Sequence, residues 1–498
     1  MKQQPNILLL FNDHQAYYGH GEMSGSPRIK RPNFEKIRDE GIEFTHAYTS
    51  CPLCSPARRT VLTGLFPNNH GEIKNDTNHP FDRETYLDKL AEIGYKNYYF
   101  GKWHAGPGTA HDHHCEGFSY ESYNNPYIKP EYKEYLKKNK YPNFQVRIQR
   151  SFWKETKVKG LKEGNLYSPS MNWCNEHATG NMTTPKETHE SFFLANLACK
   201  KLREIAASRN KQPFHLRVDF WGPHQPYFAT PEFLNMYNPE DIKMYPSFQD
   251  DLINKPEVYK MEYNIPLNKN GKIVYPNPLP WSEWQKVLAF NYAQQTLIDE
   301  AGGLVLKTLE EVGLADNTLI VWTADHGDAV ASHGGHFDKA SYMPEEVVRI
   351  PLVLKYPNNI PAGQICNKLV SNIDIAPTFL DAAGITFNNP IDGQSLLPLC
   401  LRKNVNWRKD LMCQTHGHIF SHLGRLVVTD QYKYIFNDED KDELYNLKND
   451  PYELNNIIDE NQNSDLLINM KTRLNKWRKQ TGDYVEKRMI KKRRLICR

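Results

Sequence analysis

The chain has 498 residues, of which 39% are hydrophobic and 24% are charged, and its formal net charge is +3 at pH 7. Because a single hydrophobic core stops growing at about 250–300 residues, this length predicts two packed units. The small net charge argues against nucleic acid as the main partner. No apolar run approaches the ~18 residues that a membrane span requires, so the composition favours an ordinary globular protein.

The first two-thirds of the chain alternates strands with helices. The apolar run NILLLF at 6–11 is typical of a strand that is covered on both faces. Further strands are predicted at 42–48, 96–101, 213–220, 317–324 and 349–355, and helices at 31–41, 83–94, 187–206 and 282–313. This alternation predicts an α/β fold, in which helices sandwich a large sheet that is mainly parallel or mixed.

Two irregular stretches, 105–185 and 228–280, interrupt this alternation. Long irregular stretches inside a compact domain are usually functional loops, so we interpret both as loop insertions. They belong to a predicted first domain that spans residues 1–390.

The pattern changes near residue 390, where a smaller unit is predicted. A hairpin at 424–438, a strand at 443–447 and a helix at 464–482 indicate a C-terminal α+β subdomain, 391–485, with a short antiparallel sheet. The remaining residues, 486–498, form a basic tail of the kind that is commonly solvated.

The start of the chain and its cysteines predict a cytoplasmic protein. The apolar stretch at 6–11 is shorter than the core of a signal peptide, which has about 7–15 apolar residues. The nine cysteines are an odd number in a large protein, and this favours reduced thiols. We therefore expect a cytoplasmic location, unless a signal sequence has been removed.

Polar side chains follow four of the predicted strands at their carboxyl ends, which is where ligands bind in open α/β sheets. They are Asn12, Asp13 and His14 after the first strand, Lys102 and His104 after 96–101, His224 after 213–220, and Asp325 and His326 after 317–324, with Lys339 farther along. This gathering of carboxylates, imidazoles and lysines predicts a cation site beside an anion site.

The stretch TSCPLCSPARRTVLTG at 49–64 places a cysteine at the mouth of a helix. Ser55 is a favourable N-cap and Pro56 a favourable first helical residue, so Cys54 is predicted to lie just before the helix. A helix N-terminus favours negative charge, and Arg58 is spaced to reach back to Cys54. The position suits a nucleophile for an anionic substrate, although a plain thiol is a poor nucleophile for a sulfur or phosphorus oxyanion centre.

The sequence resembles the type I sulfatases of the alkaline phosphatase superfamily. The family signature C-x-P-x-R, followed by T-G, stands here as CSPARRTVLTG from Cys54. Further family motifs stand as GKWH at 101–104, PHQP at 223–226 and DHG at 325–327, and ELYNLKNDPYELNN at 443–456 also resembles the family. Because the motifs occur in order and the matches run from about residue 5 to 457, the resemblance covers nearly the whole chain.

The resemblance implies an alkaline-phosphatase-like fold and hydrolysis of a sulfate monoester, with a small-molecule or oligosaccharide sulfate as the substrate. It implies that a maturation enzyme converts Cys54 to formylglycine, whose hydrate carries two hydroxyls. One hydroxyl would attack sulfur and expel the alcohol, and the other would expel sulfate. The implied ligands of a divalent cation, usually calcium, are Asp13, His14, Cys54, Asp325 and His326. The implied catalytic and sulfate-binding residues are Cys54, Arg58, Lys102, His104, His224 and Lys339.

One position departs from the family pattern. The family usually has two adjacent acids after the first strand, and the second of them falls on His14. Calcium prefers oxygen ligands, and imidazole is softer. Either His14 only borders the cation, with Asn12 as an alternative oxygen donor, or the cation is not calcium.

Two other functions and two other motifs stay open at this stage. A phosphonate or phosphate diester hydrolase would use the same site, because its substrate also carries one negative charge, whereas an unmodified Cys54 would leave an anionic-glycan-binding protein. The run HDHHC at 111–115 has metal-ligand spacing but is interpreted as a surface or substrate loop. The pair Cys51 and Cys54 lacks a second pair at zinc-ribbon spacing. The oligomeric state is left open.

Overall fold

The computed structural model describes residues 4–17, 22–121, 124–151, 160–170, 177–209, 212–265, 279–339, 341–418 and 421–483. The predicted basic tail lies outside these residues. The strands are β1 Asn6–Asp13, β2 Ile42–Phe44, β3 Ala47–Tyr48, β4 Lys96–Lys102, β5 Cys115–Tyr120, β6 Val146–Ser151, β7 Leu166–Tyr167, β8 Ala178–Met182, β9 Phe214–Pro223, β10 Tyr227–Ala229, β11 Thr318–Ala324, β12 Leu352–Lys355, β13 Gln364–Cys366, β14 Val370–Ser371, β15 Leu411–Thr415, β16 Gly424–Val428, β17 Tyr432–Asn437 and β18 Glu443–Asn446.

The helices alternate with these strands along the first two-thirds of the chain. They are α1 Pro32–Asp39, α2 Cys54–Thr63, α3 Pro67–His70, α4 Tyr86–Glu92, α5 Pro130–Asn139, α6 Glu190–Ala207, α7 Pro231–Leu234, α8 Glu257–Ile265, α9 Trp281–Glu311, α10 Ser332–Gly335, α11 Glu345–Val348, α12 Ile375–Ala383, α13 Leu397–Cys400 and α14 Asp465–Gln480. Among the residues described, none of these helices combines the length and the apolar character that crossing a membrane requires.

The main sheet has eight strands in the order β13-β2-β12-β11-β1-β9-β4-β5. Strand β1 pairs in parallel with β11 and β9, and β4 pairs in parallel with β9 and β5. Strand β12 is antiparallel to both of its neighbours, β11 and β2. The predicted α/β fold with a large, mainly parallel mixed sheet is therefore confirmed.

The two faces of this sheet bury different helices. Along β1, Leu8 and Leu10 belong to a hydrophobic cluster that includes residues of α6 and α9, whereas Ile7, Leu9 and Phe11 belong to a second cluster with residues of α4 and α12. Because successive side chains of a strand point to opposite faces, a strand between two helix layers must be apolar at every position. This explains the continuous run NILLLF, which is buried throughout.

The insertion at 105–185 is more regular than the sequence predicted. It contributes β6, β7 and β8 to a four-stranded sheet of order β10-β8-β6-β7. These strands are short, and β6 is buried on one face only: Val146 and Ile148 are buried, whereas Arg147 between them is exposed. The alternation in β6 was a signal for a half-buried strand.

The C-terminal part forms the antiparallel sheet β15-β16-β17-β18, against which α14 packs. Strands β16 and β17 are the predicted hairpin, and β18 and α14 match the other two predicted elements. The sheet joins the first part of the chain at Gln414, whose N–H donates to the carbonyl of Ser50 at 2.8 Å. The division at residue 390 stays a prediction.

Candidate active site

Four adjacent strands of the main sheet, β11, β1, β9 and β4, deliver polar residues at their carboxyl ends. Asp13 ends β1, Lys102 ends β4, His224 follows β9 and Asp325 follows β11. All four side chains are buried, with at most 1% of each residue exposed. The structure thus brings together the residues that the sequence placed at the strand ends.

Helix α2 begins at Cys54 itself, with Leu53 as its N-cap residue, so the prediction that Ser55 is the N-cap was wrong. The N–H of Ser55 donates to Asn75 Oδ1 at 3.0 Å, and its hydroxyl donates to Glu72 Oε1 at 2.8 Å. Because these neighbours satisfy Ser55, it does not cap the helix. Cys54 consequently lies in the first turn of the helix rather than before it.

Four side chains can together hold a cation: ligand atoms of Asp13, Cys54, Asp325 and His326 all lie within 4.8 Å of one another. The Cys54 sulfur is 3.2 Å from His326 Nε2 and 3.8 Å from Asp13 Oδ1. His326 Nδ1 donates to the carbonyl of Gly327 at 2.8 Å, which leaves Nε2 with its lone pair toward the cluster. Burial lowers the pKa of His326, which favours the neutral form that binds metal.

Arg58 binds the carboxylates of this cluster. Its Nε donates to Asp325 Oδ2 at 3.0 Å, and its two terminal nitrogens donate to Asp13 Oδ2 at 2.7 Å and to Asp219 Oδ2 at 2.8 Å. Burial alone would lower the pKa of Arg58, but the three carboxylates raise it above its ordinary value. Arg58 was expected to reach back to Cys54, and the structure instead directs its guanidinium to Asp13, Asp219 and Asp325.

Lys102 belongs to the same group. Its ammonium donates to Asp13 Oδ2 at 2.6 Å and lies 4.3 Å from the ring centre of Trp221. Burial alone would raise the pKa of Asp13, but Lys102 and Arg58 hold it well below its usual range. Asp13 is therefore ionised, and its Oδ1 faces the Cys54 sulfur.

A second group, beside the first, contains Lys339, His224 and His14. The Lys339 ammonium lies 3.1 Å from His14 Nε2 and 3.5 Å from His224 Nε2. The two imidazole rings are stacked with their centres 4.4 Å apart. Burial, together with the charge of Lys339, lowers the pKa of both histidines, and His224 Nε2 accepts from the ammonium because its Nδ1 donates to the carbonyl of Gln225 at 2.7 Å. In this compact group Lys339 carries the positive charge, and the carboxylate of Asp338 lies 3.2 Å from its ammonium.

His14 lies between the two groups. Its backbone N–H donates to Asp325 Oδ1 at 3.0 Å, whereas its Nε2 faces Asp338 Oδ1 at 3.0 Å. Ligand atoms of Asp13, His14 and His224 also lie within 4.8 Å of one another, so a second grouping could hold a cation. The imidazole of His14 is nevertheless engaged with Asp338 and Lys339. Asn12 donates to Gln15, and its Oδ1 accepts from Trp322 Nε1 at 3.2 Å.

Two comparisons with family models cover most of the chain. Residues 5–385 match the model described as Sulfatase, and residues 332–480 match the model described as N-sulphoglucosamine sulphohydrolase, C-terminal. The chain belongs to the sulfatase family. The resemblance seen in its motifs is confirmed, and the activity class of this sulfatase is that of a sulfuric ester hydrolase.

The sequences of several relatives are similar to this sulfatase along most of its length. The Extracellular sulfatase SULF-1 homolog of Drosophila melanogaster is 28% identical over 434 residues, which is 84% of this chain but only 33% of that protein. The N-acetylglucosamine-6-O-sulfatase of Bacteroides thetaiotaomicron is 27% identical over 479 residues, covering 92% of this chain and 83% of that protein. The phosphonate monoester hydrolase of Agrobacterium radiobacter shares the fold, with a TM-score of 0.76, 20% identity and 96% of each chain covered.

Sequence reasoning missed Asp219 and Arg217, which lie in β9 of this sulfatase. Arg217 donates to both oxygens of Asp219 at 2.5 and 2.7 Å, and Asp219 in turn accepts from Arg58. A signal was present, because β9 is buried at every position and yet carries two opposite charges. Residues two apart in a strand share a face, so these charges pair inside the protein.

His104 and the HDHHC run at 111–115 are the remaining candidates. His104 is buried, with a backbone φ of 40°, and its Nε2 is 3.8 Å from Asp76 Oδ1. In the HDHHC run, His113 contacts Asp88 at 3.2 Å and His111 contacts the carbonyl of Cys115 at 3.0 Å. Within the described residues, no metal-binding group forms from this run.

Proposed function

We propose that this sulfatase hydrolyses a sulfate monoester of a carbohydrate, with residue 54 as the nucleophile. The observation that carries the proposal is the position of the Cys54 sulfur among Asp13, Asp325 and His326, with all four ligand atoms within 4.8 Å of one another. The group of Lys339, His224 and His14 is tied to this cluster, because the backbone N–H of His14 binds Asp325. A reacting centre and an anion-binding group are thus adjacent.

We propose that Cys54 is used as formylglycine, because Cys54 begins a family signature and a thiol suits this chemistry poorly. When formed, the hydrated aldehyde supplies one hydroxyl for attack on sulfur and a second whose deprotonation releases sulfate. A bound divalent cation supplies positive charge that lowers the pKa of a hydroxyl and stabilises a sulfate oxygen. Asp13, Asp325 and His326 would hold this cation.

Other residues of this sulfatase position the cation ligands and the sulfate group. Arg58 fixes the carboxylates of Asp13 and Asp325 through charge-assisted hydrogen bonds, which are the stronger kind. Lys339, with His224, offers positive charge to the sulfate oxygens as charge develops in the transition state. Lys102 balances the charge of Asp13 next to residue 54. His104 is proposed to take the proton when sulfate leaves.

The proposed ligands suit some divalent cations better than others. Two carboxylates and one imidazole form a mixed oxygen and nitrogen set, which a calcium ion accepts less readily than an all-oxygen set. Calcium is the cation that the family resemblance implies, and manganese accepts the same ligands. We propose a divalent cation at this position and distinguish the two ions by reconstitution.

Removal of the cation with EDTA is expected to lower turnover by about a hundredfold or more, because the charge stabilisation that a metal provides is worth several kcal/mol. Turnover of an aryl sulfate is measured after dialysis and after separate addition of Ca²⁺, Mn²⁺, Mg²⁺ or Zn²⁺. Activity that is indifferent to EDTA, in protein shown by elemental analysis to be metal-free, would contradict the cation site.

The carbohydrate substrate is supported by the family model and a relative. The C-terminal model is named for an N-sulphoglucosamine sulphohydrolase, and one relative is an N-acetylglucosamine-6-O-sulfatase. We expect release of sulfate from at least one sulfated glucosamine or galactose in a panel of mono- and disaccharides, measured by ion chromatography. The desulfated sugars serve as blanks.

A phosphonate monoester hydrolase is the second candidate. His14 stands where the family usually has an acid, so the anion-binding end of this site carries one negative charge fewer. A phosphonate monoester carries one negative charge, as a sulfate monoester does, so the site suits both, and the fold is shared with a phosphonate monoester hydrolase. Turnover of matched aryl sulfate and aryl phosphonate monoesters separates the two candidates: faster hydrolysis of the phosphonate by tenfold or more would replace the sulfatase proposal.

A further inference from the structure

Asp219 is not part of the cation cluster formed by Asp13, Cys54, Asp325 and His326, but it is linked to that cluster through Arg58. The residue is fully buried and accepts hydrogen bonds from Arg58 at 2.8 Å and from Arg217 at 2.5 and 2.7 Å. Arg58, in turn, donates to Asp13 and Asp325. Asp219 therefore contacts Arg58 through a different nitrogen from those that bind Asp13 and Asp325, and no direct contact with residue 54 is needed for it to act.

Two guanidinium groups meet at this point. Arg58 lies 5.2 Å and Arg217 lies 4.6 Å from the ring centre of Phe11, and both donate to the same oxygen of Asp219. Because both bind one oxygen, the two like charges lie close together, and they repel strongly when they are shielded from water. The carboxylate of Asp219 is what allows both cations to occupy this space.

The charges of the buried group balance without any added ion. Asp13, Asp219 and Asp325 contribute three negative charges, and Arg58, Arg217 and Lys102 contribute three positive charges. If Asp219 were neutral, the two guanidiniums would repel each other, and Arg58 would lose the hydrogen bond that sets its orientation. Asp13 and Asp325 would then lose their shared donor.

We infer that Asp219 is a positioning residue: together with Arg217 it fixes Arg58, and through Arg58 it holds the carboxylates of Asp13 and Asp325 in the geometry that binds the divalent cation. This inference rests on the cation site of the proposed function, but it does not depend on the substrate. Partners that orient metal ligands are typically worth about 10- to 100-fold in metal affinity or activity.

The chain offers a matched control for a purely structural role. In the C-terminal part, Arg425 donates through Nε and a terminal nitrogen to both oxygens of Asp483, at 2.5 and 2.9 Å, and both residues are buried. This pair has the same geometry as Arg217 with Asp219. Its removal should cost similar stability, since breaking a buried pair is strongly destabilising.

The test titrates Mn²⁺ into EDTA-stripped protein and follows free Mn²⁺ by electron paramagnetic resonance, with the thermal unfolding midpoint measured on each sample. Asp219→Asn is expected to weaken Mn²⁺ binding by about 10- to 100-fold. Arg217→Lys keeps the charge but loses the two-pronged contact, so it should fold and weaken binding by a smaller factor. Asp219→Glu should recover part of the affinity.

The control variants Asp483→Asn and Arg425→Lys should lower the unfolding midpoint but leave Mn²⁺ affinity within about twofold, a shift well below the 10-fold expected at Asp219. Unchanged affinity in folded Asp219→Asn or Arg217→Lys would overturn the inference. So would an equal loss of affinity in the control pair, or a wild-type protein that binds no Mn²⁺. A wild type that binds Mn²⁺ tightly but hydrolyses no sulfate ester would refute the proposed function and leave the role of Asp219 standing.

Discussion

Cys54→Ala is expected to abolish turnover of sulfate esters, because it removes the atom from which the nucleophile is made. Loss of the nucleophile costs about 10⁶-fold in a hydrolase whose residues act as a unit. Among the described residues, the cation cluster contains no other thiol or hydroxyl that could take over. The measurement is the rate of sulfate release at saturating substrate, with the unfolding midpoint as a check on folding.

A buried cysteine elsewhere provides the control. Cys199 lies in α6, and its sulfur contacts the carbonyl of Leu304 at 3.4 Å. Cys199→Ala should keep near-normal turnover. Residual activity of Cys54→Ala above one part in a thousand would show that residue 54 is not the nucleophile.

The chemical state of Cys54 is measured by mass spectrometry in the same preparations. Conversion of the thiol to an aldehyde lowers the mass of the peptide that carries Cys54 by about 18 Da. We expect specific activity to rise in proportion to the converted fraction, and Cys54→Ser to release alcohol once and then stop. A fully active preparation with an unchanged thiol would contradict the formylglycine proposal.

The fold was largely predictable because its strands are long and buried. A strand between two helix layers is apolar along its whole length, and β1 and β11 show this directly. The stretch 42–48 was harder, because it divides into β2 and β3, which pair with strands of two different sheets. No local pattern states which partner a short strand will find.

The candidate site was predictable where a residue follows a strand and unpredictable where it acts from a distance. Asp13, Lys102 and Asp325 could be placed because parallel strands end at the same edge of the sheet. The interaction of Asp338 with His14 joins positions 324 residues apart, and no spacing in the sequence encodes it. Ser55 shows a third case, because Asn75 and Glu72 bind it and the helix has Leu53 as its N-cap residue.

His14 illustrates how the structure refines a prediction from a family pattern. The sequence assigned it to the cation because of its position after β1. Its backbone does bind Asp325, but its ring lies against His224 and contacts both Lys339 and Asp338. The two halves of one residue therefore face different groups, and the alternative that His14 only borders the cation agrees with these contacts.

Lys339→Ala is expected to lower kcat with an aryl sulfate by about 10²-fold or more, the cost of losing one donor to developing negative charge. His14 and His224 are neutral, so Lys339 is the member of its group that carries formal positive charge. The loss should appear mainly in kcat, because the interaction strengthens as charge moves onto the sulfate oxygens.

Lys339→Ala is expected to leave the affinity for Mn²⁺ unchanged. Lys339 donates to His14, His224 and Asp338 but is not part of the cluster formed by Asp13, Cys54, Asp325 and His326. Mn²⁺ affinity should therefore stay near the wild-type value in Lys339→Ala, whereas Asp325→Asn should lose both cation and turnover. Unchanged kcat, or a loss of cation binding equal to that of Asp325→Asn, would show that Lys339 serves the cation site and that the division into two groups is wrong.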